Sequence, residues 1–105
     1  MSDYCILYTT FPTPEDAEQT AEDLVHRKLA ACVNLFLGMV SIYEWKGEFN
    51  HTPEVAAFIK TKRANVEKIM DHIRETHPYE TPALLVLPVE AGHPAYLSWM
   101  KSQMA

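Results

Sequence analysis

Three side chains with chemical potential stand together in the segment HPYETP, residues 77–82. His77 is the residue type that most often binds a transition metal, Tyr79 can donate a hydrogen bond, and Glu80 can act as a base. The two prolines, Pro78 and Pro82, also fit a stiff loop with no chemistry. The segment by itself leaves both interpretations open.

The other histidines have no metal-ligand spacing. His72 and His77 are five residues apart, so a helix would not place them on one face as it would at a spacing of four. We therefore expect structural or solvated roles for four histidines: His26, His51, His72 and His93.

The sequence does not predict an enzyme. Catalysis by a nucleophile requires a base and an oxyanion donor beside it. Neighbouring residues of an extended loop, such as Tyr79 and Glu80, point apart, and the chain contains no G-x-S-x-G motif or phosphate-binding loop. We therefore expect a binding function.

Composition indicates one globular domain over residues 1–105. The chain is 48% hydrophobic and 22% charged, which is typical of a folded domain with a core. Its net charge is −5 and its nine basic residues are scattered, with KTKR at 60–63 as the only basic cluster. Because nucleic-acid binding depends on clustered Lys and Arg, we expect no nucleic-acid partner.

The N-terminal residues and the lengths of the apolar runs indicate where in the cell the protein is found. MSDYCILYTT has no basic region followed by a long apolar region, and PALLVLPV is far shorter than the roughly 20 residues that span a bilayer. These features predict a cytoplasmic protein with no membrane partner. Cys5 and Cys32 lack C-x-x-C spacing and are expected to be reduced, buried thiols.

The first half of the chain predicts a strand, a helix and a long hairpin. Residues 3–10 are β-branched and aromatic, and Thr13-Pro14 then begins an amphipathic helix expected to end at Leu29. Residues 31–45 form an apolar strand with a bulge or bend at Gly38. The segment KGEFNHTPE carries turn residues, so the returning strand is expected only from Val55 to Lys62.

The second half predicts a helix, an edge strand and a last helix. Val66, Ile69, Met70 and Ile73 form one apolar face, with Asn65 as the cap and Thr76 as the end. Residues 83–89 form a strand whose proline suits a sheet edge, and a helix follows over 94–104. The order β-α-β-β-α-β plus a C-terminal helix is that of a ferredoxin-like α+β fold.

Right-handed crossovers would place both long helices on one face of this sheet. The other face would then expose Leu35, Leu37 and Ile42. A large exposed apolar patch is unusual in a monomer, so we expect other copies of the chain to cover it.

Five ordered segments closely resemble the CutA family of divalent-cation tolerance proteins: KLAACVN, SIYEWKGE, IKTKR, HPYETPALLVLPV and YLSWM. The resemblance covers nearly the whole chain. It implies a ferredoxin-like subunit in a compact homotrimer similar to the PII signalling proteins. It also implies a role in tolerance of copper and other divalent cations, with no firmly attached reaction.

The resemblance carries over one metal ligand, His77. The other ligand positions of copper-binding relatives correspond to Thr9 and Thr76, which do not supply the soft or imidazole ligands that copper prefers. A single histidine predicts a weak site for copper(II) or another divalent cation, and no tightly bound cofactor.

The same motifs imply a cleft near a subunit interface that could instead hold a small metabolite or protein partner, as in a PII-like signalling trimer. Aromatic residues also anchor interfaces, so Trp45 and Trp99 have two alternative roles. The expected cleft residues are Tyr43, Trp45, Lys60, Tyr79, Glu80 and Trp99.

Overall fold

A computed structural model describes residues 2–105 and confirms the ferredoxin-like α+β fold. A short 3₁₀ turn, Arg63–Asn65, precedes the second long helix. In chain order the elements are β1 (Tyr4–Phe11), α1 (Pro14–His26), β2 (Cys32–Trp45), β3 (Glu48–Lys62), α2 (Val66–Thr76), β4 (Leu85–Pro88) and α3 (Pro94–Gln103).

The four strands form one antiparallel sheet in the order β2-β3-β1-β4. β4 lies at an edge, where Pro88 pairs with Cys5 of β1 on one side only. An edge tolerates a residue that has no N–H to donate. The expected edge position of this strand is therefore confirmed, although the strand is shorter than the predicted residues 83–89.

The core lies between one face of the sheet and the two long helices. Leu7 and Ile59 project from β1 and β3 and pack against Leu24 of α1 and against Ile69 and Ile73 of α2. All five side chains are almost completely buried. Burial of each contributes roughly 1.5–3 kcal/mol, so this layer holds both helices on the same face.

Helix α1 begins where its sequence predicts and ends three residues early. The Thr13 hydroxyl accepts a hydrogen bond from the Asp16 amide at 3.1 Å, which caps the helix as expected. At the other end Lys28 has a φ of 61°, and the amides of Leu29 and Ala30 both donate to the Leu24 carbonyl. The left-handed residue stops the helix at His26, so the predicted end at Leu29 is wrong.

The hairpin of β2 and β3 is longer and tighter than predicted. Only Lys46 and Gly47 form its turn, both with positive φ, as a two-residue hairpin turn requires. β3 therefore starts at Glu48, and the expected start at Val55 is wrong. Pro53 is tolerated because β3 pairs there with β2 alone. The bulge expected at Gly38 is confirmed by a register shift between Phe36 and Met39.

β1 covers only part of this hairpin. Its last paired residue, Phe11, lies opposite Val55, so residues 39–54 pair only with each other and form a hairpin arm. Ile42 on this arm is 67% exposed, as the sequence led us to expect. Leu35 instead packs against the core residues Phe11 and Val55, so its assignment to the bare face is wrong.

The C-terminal helix α3 packs its Met100 against Ala31, and Met104 just beyond the helix joins the same cluster. Within residues 2–105, every helix is too short or too polar to cross a bilayer.

Candidate functional site

A cleft of about 500 Å³ opens between the hairpin arm and the loop that follows α2. We call it the hairpin cleft. Its walls come from the end of β1, from both strands of the arm and from the loop. The lining residues are Thr10, Tyr43, Trp45, Glu54, Pro78, Tyr79, Glu80, Thr81 and Ala83.

The loop is fixed at its start by the end of α2. The His77 amide donates to the Ile73 carbonyl at 2.8 Å, which is the last helical hydrogen bond. His77 itself has extended backbone angles, as residues before proline favour, and Pro78 follows it. The chain therefore leaves the helix sharply at His77, as the sequence predicted.

The His77 side chain is 9% exposed, and both of its ring nitrogens are hydrogen-bonded. Nδ1 accepts a bond from the Tyr79 amide at 3.0 Å, so the proton of the neutral ring lies on Nε2. Nε2 donates it to the Thr10 carbonyl at 2.6 Å. The ring also stacks on Phe11, with centroids 4.7 Å apart and planes 19° apart. In this conformation His77 ties the loop to β1 and has no nitrogen free for a metal.

Tyr79 joins the loop to the arm. Its hydroxyl donates to Oε2 of Glu54 at 2.7 Å, and the Glu54 side chain is only 7% exposed. Burial, followed by the hydrogen bond and negative charge of Glu54, raises the pKa of Tyr79 well above its ordinary value. The hydroxyl therefore stays protonated at neutral pH and remains a donor to the carboxylate.

Tyr43 and Trp45 contribute the arm's side of the cleft. Two residues apart on β2, they point to the same face of the hairpin. Tyr43 is 41% exposed and its hydroxyl lies 3.3 Å from that of Thr52, while Trp45 is 51% exposed. Half-exposed aromatic rings in a cleft leave faces free for a ligand.

The structure brings together four of the six expected cleft residues, Tyr43, Trp45, Tyr79 and Glu80. Two others lie elsewhere in the subunit. Lys60 donates to the Tyr96 hydroxyl at 3.1 Å, and Tyr96 packs on the Trp99 ring with centroids 5.5 Å apart. Lys60 is therefore hydrogen-bonded to α3. It lies outside the cleft and forms no ion pair with Glu80, the carboxylate in the cleft lining.

His72 takes the structural one of the two roles expected for it. It is 9% exposed, and its Nε2 has no hydrogen-bond partner among the described residues. Asp23 Oδ2 lies 3.6 Å away, just beyond hydrogen-bonding distance. Nowhere in residues 2–105 do three His, Cys, Asp or Glu side chains cluster as metal ligands would.

The family of the chain is shown by comparison with known proteins. Residues 5–103 match the model of the CutA1 divalent ion tolerance protein family. The chain belongs to the CutA1 family. The resemblance carried by the five sequence segments is thereby confirmed.

CutA1 relatives come from bacteria, plants and animals. A protein of Pectobacterium atrosepticum named divalent-cation tolerance protein CutA is 36% identical over 99% of this chain and 94% of its own length. A Xenopus laevis CutA homolog is 44% identical over 89% of this chain. The chain spans 62% of that protein and about half of the mouse and human ones.

Solved CutA1 structures share the whole fold. CutA from Xylella fastidiosa superposes with a TM-score of 0.95 at 34% identity, covering 99% of this chain and all of the other. A CutA from Archaeoglobus fulgidus, described as a periplasmic divalent cation tolerance protein, superposes with a TM-score of 0.92 at 33% identity.

Sequence reasoning missed one central residue of this CutA1 chain, Glu54. The segment KGEFNHTPE, which contains it, was predicted to be a turn. The available signal was its place directly before the apolar run Val55–Ile59. A charged residue next to a buried strand is either at its exposed end or paired, and Tyr79 provides the partner.

Proposed function

We propose that this protein contributes to divalent cation tolerance by binding a ligand in the hairpin cleft. The family match supports the tolerance role. The observation that carries the site is the buried carboxylate of Glu54, which faces a cleft that also contains Glu80. The lining residues include two carboxylates and no Lys, Arg or His, so the charge of the lining favours a cation over an anion. The nearest cation on this side is Lys46, whose ammonium lies 5.8 Å from the Trp45 ring centroid.

Binding rather than turnover fits the chemistry of these groups. Both His77 nitrogens are occupied, so the ring is not available as a general base. The Tyr79 hydroxyl keeps its proton because its pKa is raised. A group that neither takes nor releases a proton at neutral pH is a poor acid–base catalyst.

We propose that copper(II) is one of the cations that bind in the hairpin cleft, and that it binds weakly and exchanges readily. Two carboxylates without a cluster of three ligands in residues 2–105 do not fit a tight transition-metal site. We propose His77 as a ligand of such a cation. To bind it, one ring nitrogen must first give up its hydrogen bond to the Thr10 carbonyl or to the Tyr79 amide. Such a rearrangement lowers the net affinity of any metal that uses it.

Calorimetric titration with copper(II), zinc and nickel is expected to give dissociation constants weaker than about 0.1 mM. Glu54→Gln and Glu80→Gln are each expected to weaken binding severalfold, since each removes one carboxylate charge from the cleft. Glu44→Gln, on the same arm but outside the cleft lining, is the matched control.

A tight site that disappears in His77→Ala and is unaffected by the two glutamine variants would contradict binding by the carboxylates. Identical curves for wild type and His77→Ala would remove His77 as a ligand.

The second candidate function is a PII-like signalling trimer whose cleft binds a small metabolite or a protein partner. The size of the cleft favours it, because about 500 Å³ lies within the range of small-molecule sites. A thermal-shift screen separates the two functions. A metabolite that raises the melting temperature, and loses this effect in Trp45→Ala, would support the second.

We propose that the protein is a cytoplasmic homotrimer. Large apolar side chains are exposed on both sheet edges, including Ile42 at 67% on the arm and Leu85 at 58% on β4. These edges also carry unpaired backbone groups, which favour association. Contacts between copies would cover both features.

Sedimentation at micromolar concentration is expected to give three times the mass of the chain. Ile42→Glu is expected to shift the protein toward monomer, because it would bury an unpaired charge at the contact. Lys68→Glu on the exposed surface of α2 makes the chain more negative by two charges, against one for Ile42→Glu, and is the control for added negative charge. A monomeric wild-type protein would rule out the trimer.

A further inference from the structure

We infer that the hairpin cleft recognises an organic ammonium group, with an alkylated amine as the ligand class. This inference rests on the proposed role of the cleft as a binding site and names the chemistry that the site selects. It follows from the aromatic rings of the cleft, from its charges, and from how strongly each kind of cation holds its own water.

The aromatic rings come from both sides of the cleft. Tyr43 and Trp45 project from one face of the arm, and Tyr79 projects from the opposing loop. The face of an aromatic ring attracts a cation, and tryptophan does so most strongly. The chain already shows this preference, since the Lys46 ammonium lies 5.8 Å from the Trp45 ring centroid. Lys46 is not one of the residues that line the cleft, but its ammonium group already satisfies part of the attraction of that ring for a cation.

The charges favour a cation held near Glu54. Glu54 is only 7% exposed, and Tyr79 is the only described group that donates a hydrogen bond to its side chain. A buried carboxylate with one neutral donor gains from a nearby positive charge. Glu80 adds a second negative charge at the exposed part of the lining.

Hydration distinguishes an alkylated ammonium from a metal ion. A divalent metal holds its water strongly and needs several fixed ligands to replace that water. No cluster of three ligands exists in the described part of the chain. An alkylated ammonium is weakly hydrated, because carbon covers its charge, and it gains from contact with aromatic rings. This cleft therefore suits the organic cation better.

The decisive probe is choline, compared with its neutral carbon isostere 3,3-dimethylbutan-1-ol. The two molecules have the same shape, so a difference in affinity measures recognition of charge. Calorimetric or NMR titration of the wild-type protein is expected to show choline binding roughly tenfold tighter than the alcohol.

Three variants locate the site. Trp45→Leu is expected to weaken choline binding roughly fivefold, since the main ring face is lost. Trp99→Leu is the matched control, because Trp99 is similarly exposed at 43% and lies outside the cleft. Lys46→Asn, which tolerates the φ of 50° at this position, is expected to strengthen choline binding roughly threefold by freeing the Trp45 ring.

Equal affinity for choline and the alcohol would overturn the inference, as would an equal loss in Trp45→Leu and Trp99→Leu. If metals bind in a manner dependent on Glu54 and Glu80 while choline does not bind, the inference fails and the proposed function stands. If neither choline nor any metal or metabolite binds, both fail. Circular dichroism of each variant verifies that it folds.

Discussion

His77→Ala is expected to lower the free energy of unfolding by about 3 kcal/mol. The substitution removes a ring that is 9% exposed and stacked on Phe11. It also leaves the buried Thr10 carbonyl without the Nε2–H donor and the Tyr79 amide without its acceptor. The measurement is guanidinium unfolding at one fixed protein concentration, since assembly makes stability depend on concentration.

A second variant separates packing from hydrogen bonding. His77→Phe keeps an aromatic ring against Phe11 but loses both ring nitrogens, so it is expected to recover part of the loss. His26→Ala, on an exposed histidine, is expected to change stability by less than about 0.5 kcal/mol. An effect of His77→Ala as small as that of the control would contradict the structural role assigned to the ring.

Tyr79→Phe is expected to destabilise the protein by about 2 kcal/mol at pH 7. The substitution keeps the ring but removes the only described donor to Glu54, whose carboxylate is then buried without a partner. Adding Glu54→Gln removes the charge and is expected to restore part of the stability. A double-mutant cycle over these two positions gives the coupling, measured by guanidinium unfolding.

The pH dependence gives this prediction an independent readout. Burial and Glu54 raise the pKa of Tyr79 in the folded protein above the value of about 10 for an unfolded chain. The folded state therefore keeps the proton longer, and the stabilisation is fully present below pH 10. It is lost as the pH rises from there toward the higher folded pKa.

The stability difference between wild type and Tyr79→Phe should thus be constant from about pH 7 to 9 and shrink above about pH 10. Tyr43→Phe, which also removes a tyrosine hydroxyl from the cleft, is the control at pH 7, where it should cost much less stability because its hydroxyl faces Thr52 and not a buried carboxylate. A wild-type advantage that grows at high pH would refute the assigned direction.

Local sequence patterns correctly predicted the ends of helices that are set by residues within the helix or next to it. Thr13-Pro14 predicted the start of α1, and Pro78 predicted the end of α2, because caps and prolines act within a few residues. The pattern failed for residues 48–54, where Asn50 and Pro53 favour a turn. Pairing with β2 along the arm outweighed those preferences, and it extended β3 to Glu48.

The sequence by itself determined the ferredoxin-like order of elements, the family, and the placement of His77, Tyr79 and Glu80 on one stiff loop. Periodicity and motif order carry this information because they depend on neighbours along the chain.

Only the tertiary structure decided which side chains meet across the cleft. Glu54 accepts a hydrogen bond from Tyr79, and both ring nitrogens of His77 are hydrogen-bonded to backbone groups. Lys60 is hydrogen-bonded to Tyr96 of α3 and lies outside the cleft. These contacts join residues far apart in sequence, and they depend on the register of β3 and the bulge at Gly38. A shift of one residue in that register would turn Glu54 to the opposite face, so sheet pairing decides the chemistry of the site.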